Sequence, residues 1–233
     1  RKVVSLPTLA HKPSTDRTER NKFCRMISLL KIVSLFITLS VAAAFFTGCK
    51  EVEPVEDFDL EEYVSAPWYI HEQAITTYSP LEWNYCTRAV YGIRDTSTFW
   101  GYEVSVNNYA QDENGEEQGG PLCAYQSWRK PDGLLGVAPC FLPKLFAGPY
   151  LVVEYNEDEG YALISGGQPY IQTKDGLCRT SQGTNNAGLW IFSRSQTRND
   201  TMIQVVRDAA IAKGIDPDVM NPVDQTDCDY PPP

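Results

Sequence analysis

Apolar and polar side chains alternate along most of this chain in short runs separated by turn residues, the period of half-buried β-strands. The runs fall at 68–73, 84–94, 99–109, 122–128, 137–142, 150–155, 161–165 and 189–193. The stretch 112–120, sharpest at Asn114-Gly115, turns the third run back, and Lys130-Pro131-Asp132-Gly133 turns the fourth. A loop rich in Gly and Asn, 166–188, precedes the eighth run. Only then does the period change. Met202, Val205, Val206, Ala209, Ala210 and Lys213 recur at helical spacing between Asn199 and Gly214, which predicts one helix over 199–214. Eight hairpin-linked strands and a late helix predict an all-β fold. Its form is an eight-stranded up-and-down antiparallel β-barrel with one C-terminal α-helix packed on the wall, closed so that no edge strand remains.

Alternate residues of each barrel strand face the interior. This phase puts Ala89 and Tyr91 of the second run inside, with Arg88 and Arg94 towards water. Ser105 and Asn107 share a face of the third run and are expected to give the interior a polar handle. Tyr125 is expected on the wall of the fourth run, and Trp190 and Phe192 point inward from the eighth. The candidate ligand-binding set is therefore Ala89, Tyr91, Ser105, Asn107, Tyr125 and Trp190. Trp68, Phe192 and Arg194 are assigned to a structural floor. There the indole plugs the base, and the guanidinium lies over its face in a cation–π contact worth about 1–2 kcal/mol when desolvated. Eight strands enclose room for one small ligand, and an aromatic lining with one or two hydrogen-bonding groups suits a flat or chain-like apolar molecule. Plain core packing competes with ligand contact at each aromatic position.

The ends of the chain are read separately. A Met26 start, Lys31 and a mostly apolar 32–46 followed by small residues at Ala42-Ala43-Ala44 resemble a signal peptide. The expected organisation is an upstream segment over 1–25, a signal peptide over 26–44 and an N-terminal extension over 45–65. The barrel with its helix follows over 66–228, then a Pro-rich tail over 229–233. This predicts secretion or an endomembrane lumen. Gly48-Cys49 loosely resembles a lipobox and offers lipid anchoring through Cys49 as an alternative, and Ala44-Phe45 resembles a plastid-import junction, which offers the thylakoid lumen.

Charge narrows the partners. The whole chain has 20 Lys and Arg against 30 Asp and Glu, and after position 44 the balance is 12 against 28, a net −16. Such a surface repels phosphate backbones, which argues against nucleic acid. Six cysteines remain in that part: Cys49, Cys86, Cys123, Cys140, Cys178 and Cys228. An even count in an exported chain reads as three disulfides with 15 connectivities open. No Cys-x-x-Cys pair occurs and His71 is the one histidine left, so neither a metal site nor any other cofactor is expected. Asn199-Asp200-Thr201 is an N-glycosylation sequon at the position where the helix needs its N-cap, and the two roles compete for one side chain.

Several short motifs stand in a familiar order. Phe58-Asp59-Leu60-Glu61-Glu62-Tyr63 leads into Trp68-Tyr69, and Tyr85-Cys86-Thr87-Arg88-Ala89-Val90-Tyr91 follows. Pro149-Tyr150-Leu151-Val152, Glu154-Tyr155-Asn156 and Tyr161-Ala162-Leu163-Ile164 come next, then Leu189-Trp190-Ile191-Phe192-Ser193-Arg194 and Asp224-Gln225-Thr226-Asp227-Cys228. Together they resemble the lipocalin family, within it the apolipoprotein D-like and plant chloroplast branches. One departure is Ala66-Pro67-Trp68 where the family has Gly-x-Trp, which implies a slightly different turn into the first strand. The resemblance implies disulfides Cys86–Cys228, Cys49–Cys178 and Cys123–Cys140. It also implies non-enzymatic binding, transport or scavenging of a fatty acid, sterol, carotenoid or oxidised lipid, with peripheral membrane contact as a further partner. The competing enzyme is a xanthophyll de-epoxidase-like activity on the same barrel, for which Glu72 and Glu103 are the nearest carboxylates, each expected exposed. A third reading makes the acidic 112–117 loop a protein-binding module, against a plain solvated turn.

Overall fold

The computed structural model describes residues 48–128 and 131–232. The expected upstream segment and signal peptide over 1–44, and Lys130 of the expected turn, lie outside these residues. A four-residue helix α1 (Leu60–Tyr63) precedes β1 (Trp68–Ala74), β2 (Tyr85–Ile93), β3 (Val104–Gln111), β4 (Glu117–Gln126), β5 (Leu134–Ala138), β6 (Gly148–Asn156) and β7 (Tyr161–Ser165). A small hairpin of β8 (Ile171–Gln172) and β9 (Cys178–Arg179) interrupts the sequence before β10 (Leu189–Ser193), helix α2 (Asp200–Ala212) and β11 (Met220–Pro222). Neighbours β1 to β7 pair in chain order and β10 pairs with both β7 and β1, so eight antiparallel strands close into a barrel.

The pleat divides the apolar residues between two cores. Trp68, Ile70, Ala89, Tyr91, Val104, Val106, Ala124, Val152, Ile164 and Phe192 fill the inside. Leu151, Val153, Leu163, Leu189 and Ile191 face outward onto Ile203, Val206 and Ala210 of α2. β6, β7 and β10 therefore read as unbroken apolar runs, because the helix buries their second face. Asn199 caps α2, its side-chain oxygen accepting the amides of Thr201 and Met202. The buried stripe is Ile203, Val206 and Ala210, while Val205, expected in the seam, is rotated about 100° off it and exposed.

Three strand boundaries differ from the alternation pattern. β3 starts at Val104, because Gly101 takes φ +82° and ends the extended run. Residues 94–103 instead fold over the outer wall, where Tyr102 is buried with Cys123 and Ala138. β5 spans Leu134–Ala138, since Pro139 has no N–H for the ladder. β4 includes Gly119 and Gly120, read from sequence as the end of a turn; both glycines adopt positive φ while still paired with Tyr109 and Asn108.

The base of the barrel is closed by Trp68 and Arg194. The guanidinium carbon lies 3.6 Å from the centre of the indole. The indole N–H donates to Tyr63 O at 2.9 Å, and the Arg194 Nη2 donates to Tyr63 O at 3.0 Å and Glu62 O at 3.1 Å. Arg194 also forms a forked pair with Glu157 on the β6–β7 turn, with Nε–Oε1 at 3.0 Å and Nη2–Oε2 at 2.9 Å. One side chain thus ties the end of β10 to α1, the approach to β1 and a hairpin turn.

The opposite seam is closed differently. β1 pairs with β2 only through Trp68 and Tyr69, and beyond the bulge at Ile70/Glu72 it pairs with β11. The C-terminal segment lies in the gap: Val223 N donates to His71 O, Asp224 N to Asn84 O and Cys86 N to Asp224 O. The Gln225 amide donates to both Ile70 O (2.7 Å) and Thr87 O (2.8 Å). Cys86–Cys228 fastens this segment to β2, Cys49–Cys178 fastens the N-terminal extension to β9, and Cys123–Cys140 crosses the outer wall. The Cys49–Cys178 bond and a thioether lipid anchor would compete for the same sulfur.

Replacing Arg194 with Lys removes the fork and the flat stack together. Arg194→Lys and Arg194→Ala are each expected to lower unfolding free energy by about 2–4 kcal/mol, read from urea midpoints at constant slope. His71 is fully buried on β1, with Nε2 2.9 Å from Ser195 O and Nδ1 without a partner among the described residues. Burial lowers its pKa, so the folded protein holds the ring neutral while the unfolded chain takes up a proton near 6.5. Stability is therefore fully present above about pH 6.5 and falls as pH drops towards the folded pKa. Relative to His71→Gln, the wild type should lose unfolding free energy between pH 7.5 and 5.5; parallel curves would show the ring does not contribute.

Candidate functional site

The barrel interior above the Trp68 floor is not filled. A cavity of about 850 Å³ runs from Phe192, Ile70 and Tyr91 up to a rim made by three loops. Its wall is mainly apolar: Ala89, Val106, Ala110, Leu122, Val137 and Trp190 contribute, together with the side-chain-free Gly119 and Gly120. The rim carries Tyr78, Ser79 and Trp83 from the β1–β2 connection, Leu142 and Phe146 from the β5–β6 loop, and residues 184–187 ahead of β10. Two of these loops are tied together, since Tyr78 Oη donates to Ala187 O at 2.8 Å and Thr77 N donates to Gln182 O at 2.8 Å.

Trp190 owes its position to Gly188. At φ +102° that residue has no Cβ, and one placed there would lie 2.1 Å from the indole. Ala89 and Tyr91 face the cavity from β2, as Phe192 does from β10. Three of the proposed contacts stand elsewhere. Ser105 donates to Gly92 O at 3.1 Å on the outer face of β3, and Asn107 is exposed. The inward residues of β3 are Val104, Val106, Asn108 and Ala110, one position out of phase with the expected pair. The pairing Val106↔Tyr91 and Ala89↔Asn108 fixes that phase, and it follows from β3 starting at Val104. Tyr125 also lies outside, packed on Tyr102 and flat against Gly136, where a Cβ would come within 2.5 Å of its ring; Lys144 Nζ sits 4.3 Å over the same ring.

Neither carboxylate considered for catalysis reaches the cavity. Glu72 is buried, contrary to its expected exposure, and pairs with Arg198 (2.8 Å) and Arg207 (2.6 Å) on the helix side of β1. Glu103 is exposed. Among the described residues lining the cavity no Asp or Glu occurs, and the one cation is Arg88. Its guanidinium turns to the C-terminal tail, 4.6 Å over the Tyr230 ring and donating to Pro231 O at 2.6 Å.

The polar feature that alternation did not reveal is a chain of three phenols at the deep end. Tyr150 Oη lies 2.6 Å from Tyr63 Oη and 2.9 Å from Tyr91 Oη. Tyr91 and Tyr150 line the cavity, and Tyr63, at the end of α1, is fully enclosed beneath them. Burial pushes the Tyr91 hydroxyl up to about 12 and holds Tyr63 and Tyr150 well above the usual phenol range, so the group is neutral at physiological pH. Tyr63 and Tyr150 stand in motifs singled out from the sequence, but their meeting depends on α1 folding under the barrel, which no local period encodes.

No protein-family model matches the chain, and no curated protein matches it by sequence. Solved structures do match it. Insecticyanin from the tobacco hornworm Manduca sexta superposes with a TM-score of 0.52 at 17 % identity, covering 76 % of this chain and 85 % of its own. The major allergen Per a 4 from cockroaches gives 0.51 at 15 %, covering 76 % and 94 %. Apocrustacyanin C2 gives 0.50 at 16 %, covering 76 % and 92 %. At these identities the likeness establishes the fold, a closed eight-stranded barrel with a C-terminal helix, as in the lipocalins.

The phase of β3 has a direct check. Val106→Trp puts an indole into the cavity and should weaken a neutral apolar fluorescent dye such as N-phenyl-1-naphthylamine by about tenfold, given overpacking costs of about 1–3 kcal/mol. Asn107→Trp, one residue along, should leave dye affinity unchanged.

Proposed function

We propose that this protein binds, carries or scavenges a small hydrophobic molecule inside its barrel and has no catalytic role. The observation that carries this reading is the enclosed, mainly apolar cavity of about 850 Å³, open at one end. Burying about 300 Å² of apolar ligand surface yields roughly 7 kcal/mol before ordering costs, so micromolar binding calls for a larger buried area and a preformed pocket that keeps those costs small. A fatty acid, a sterol, a carotenoid or an oxidised lipid each has the size and apolarity the cavity accepts. The lead-in helix and the three disulfides support placement beside the apolipoprotein D-like and chloroplast branches of the lipocalins. Disulfides form in oxidising compartments, which supports an exported or lumenal protein with 1–44 as upstream segment and signal peptide. Phe141, Leu145 and Phe146 stand exposed on the β5–β6 loop beside the rim, which supports peripheral contact with a membrane during loading.

The de-epoxidase-like alternative needs carboxylates at the mouth, and Glu72 and Glu103 both lie off the cavity. Native mass spectrometry and tryptophan quenching with a lipid and pigment panel should find one ligand per chain, with Trp190 emission responding as it fills. Absence of stoichiometric binding across the panel would sink the carrier reading. Turnover of an epoxidised carotenoid at low pH, lost on Glu72→Gln or Glu103→Gln, would replace it with the enzyme.

A further inference from the structure

The three phenols at the deep end can be treated by counting protons. Each hydroxyl owns one proton and can accept at least one bond. Two short hydrogen bonds join Tyr63 to Tyr150 and Tyr150 to Tyr91, so two protons are used and the third has only the longer Tyr63–Tyr91 contact to satisfy it. If Tyr63 keeps that proton, a donor with only this weaker partner is sealed in the most enclosed place in the barrel, with its desolvation incompletely offset. If Tyr63 donates to Tyr150, the spare proton falls to Tyr150 or Tyr91. Both of these line the cavity, so the leftover donor then faces whatever occupies it. The favoured arrangement thus sends hydrogen-bonding capacity upward, from the sealed phenol to the open ones.

We propose that this phenol cluster is a recognition site for a neutral oxygen acceptor, a ketone or aldehyde carbonyl at the leading end of an apolar ligand, which enters the barrel carbonyl first. The inference rests on the carrier reading above and adds to it the chemistry and direction of binding. A carbonyl accepts the spare proton and brings no donor of its own into the apolar surroundings of Val106 and Phe192. A carboxylate would arrive as a charge with no cation to meet it, because the Arg88 guanidinium is engaged at the tail. The cluster's own neutrality at physiological pH leaves its protons in place for donation.

The test compares 2-acetylnaphthalene with 2-ethylnaphthalene, two ligands of nearly one shape that differ by a carbonyl against a methylene, and adds 2-naphthoate at pH 7. On the intact, oxidised protein, calorimetry or tryptophan quenching should show the ketone about tenfold tighter than the hydrocarbon, with the naphthoate weakest. The infrared stretch of a carbon-13-labelled carbonyl should lie at lower wavenumber on the protein than in hexane. In Tyr91→Phe/Tyr150→Phe both the preference and the shift should vanish while 2-ethylnaphthalene still binds. Tyr63→Phe, which leaves a spare proton facing the cavity, should keep them. Should the double variant fail to fold, the ligand pair and the carbonyl stretch on the wild type decide the matter unaided. Equal affinity for ketone and hydrocarbon, an unshifted stretch, or naphthoate binding as tightly as ketone would overturn the carbonyl site and leave the carrier reading standing. Failure of all three probes to bind would overturn both.

Discussion

The stack of Arg194 on Trp68 is the constraint on which the interior depends. An eight-stranded barrel has two ends, and a cavity can be kept dry only if one of them is sealed. An indole alone would leave a polar N–H and two nearby carbonyls unmatched in that seal. Here Tyr63 O takes the indole proton, and the guanidinium meets the remaining carbonyls while covering the ring. Glu157 then balances the charge, so the base carries a complete set of partners rather than a buried cation. Because the same group holds α1 in place, the floor and the position of Tyr63 are one structural fact.

Above that floor, packing and emptiness are distributed unevenly around the wall. β6, β7 and β10 are backed by α2 and are apolar on both faces, which makes that side stiff. β4 has Gly119 and Gly120 at the level of the cavity, and β5 ends at Ala138, so the opposite side contributes less side-chain volume. The phenol cluster sits at the floor end, where Tyr91 of β2 and Tyr150 of β6 meet Tyr63 beneath them, so a ligand meets an apolar flank above a hydrogen-bonding base.

Much of this was legible in the amino-acid order. The barrel, the late helix and its Asn199 cap follow from strand and helix periods and the capping residue, and the Trp68–Arg194 contact was expected from what the base of a closed barrel needs. The three cysteine pairings came from the lipocalin resemblance and are formed. Local periodicity was less informative where the phase depends on a distant start: the inward face of β3 is set by Gly101 ending the preceding run, which moves Val106 and Asn108 inside and Asn107 out. Glu72 was expected in water and is instead buried, because Arg198, just ahead of α2, and Arg207 within it reach it across more than 120 residues of sequence. Tyr63 and Tyr150 are 87 positions apart, and no pattern within either segment points to the other.

The seam between β1 and β2 has a consequence for how the chain comes to be. Its upper half is completed by β11, by the Gln225 amide and by a disulfide between positions 142 residues apart. The wall between β1 and β2 therefore stays gapped until residues 220–228 have docked, which makes closure of the barrel a late, non-local step. The vessel is sealed only once that segment is in place and Cys86 and Cys228 have been joined.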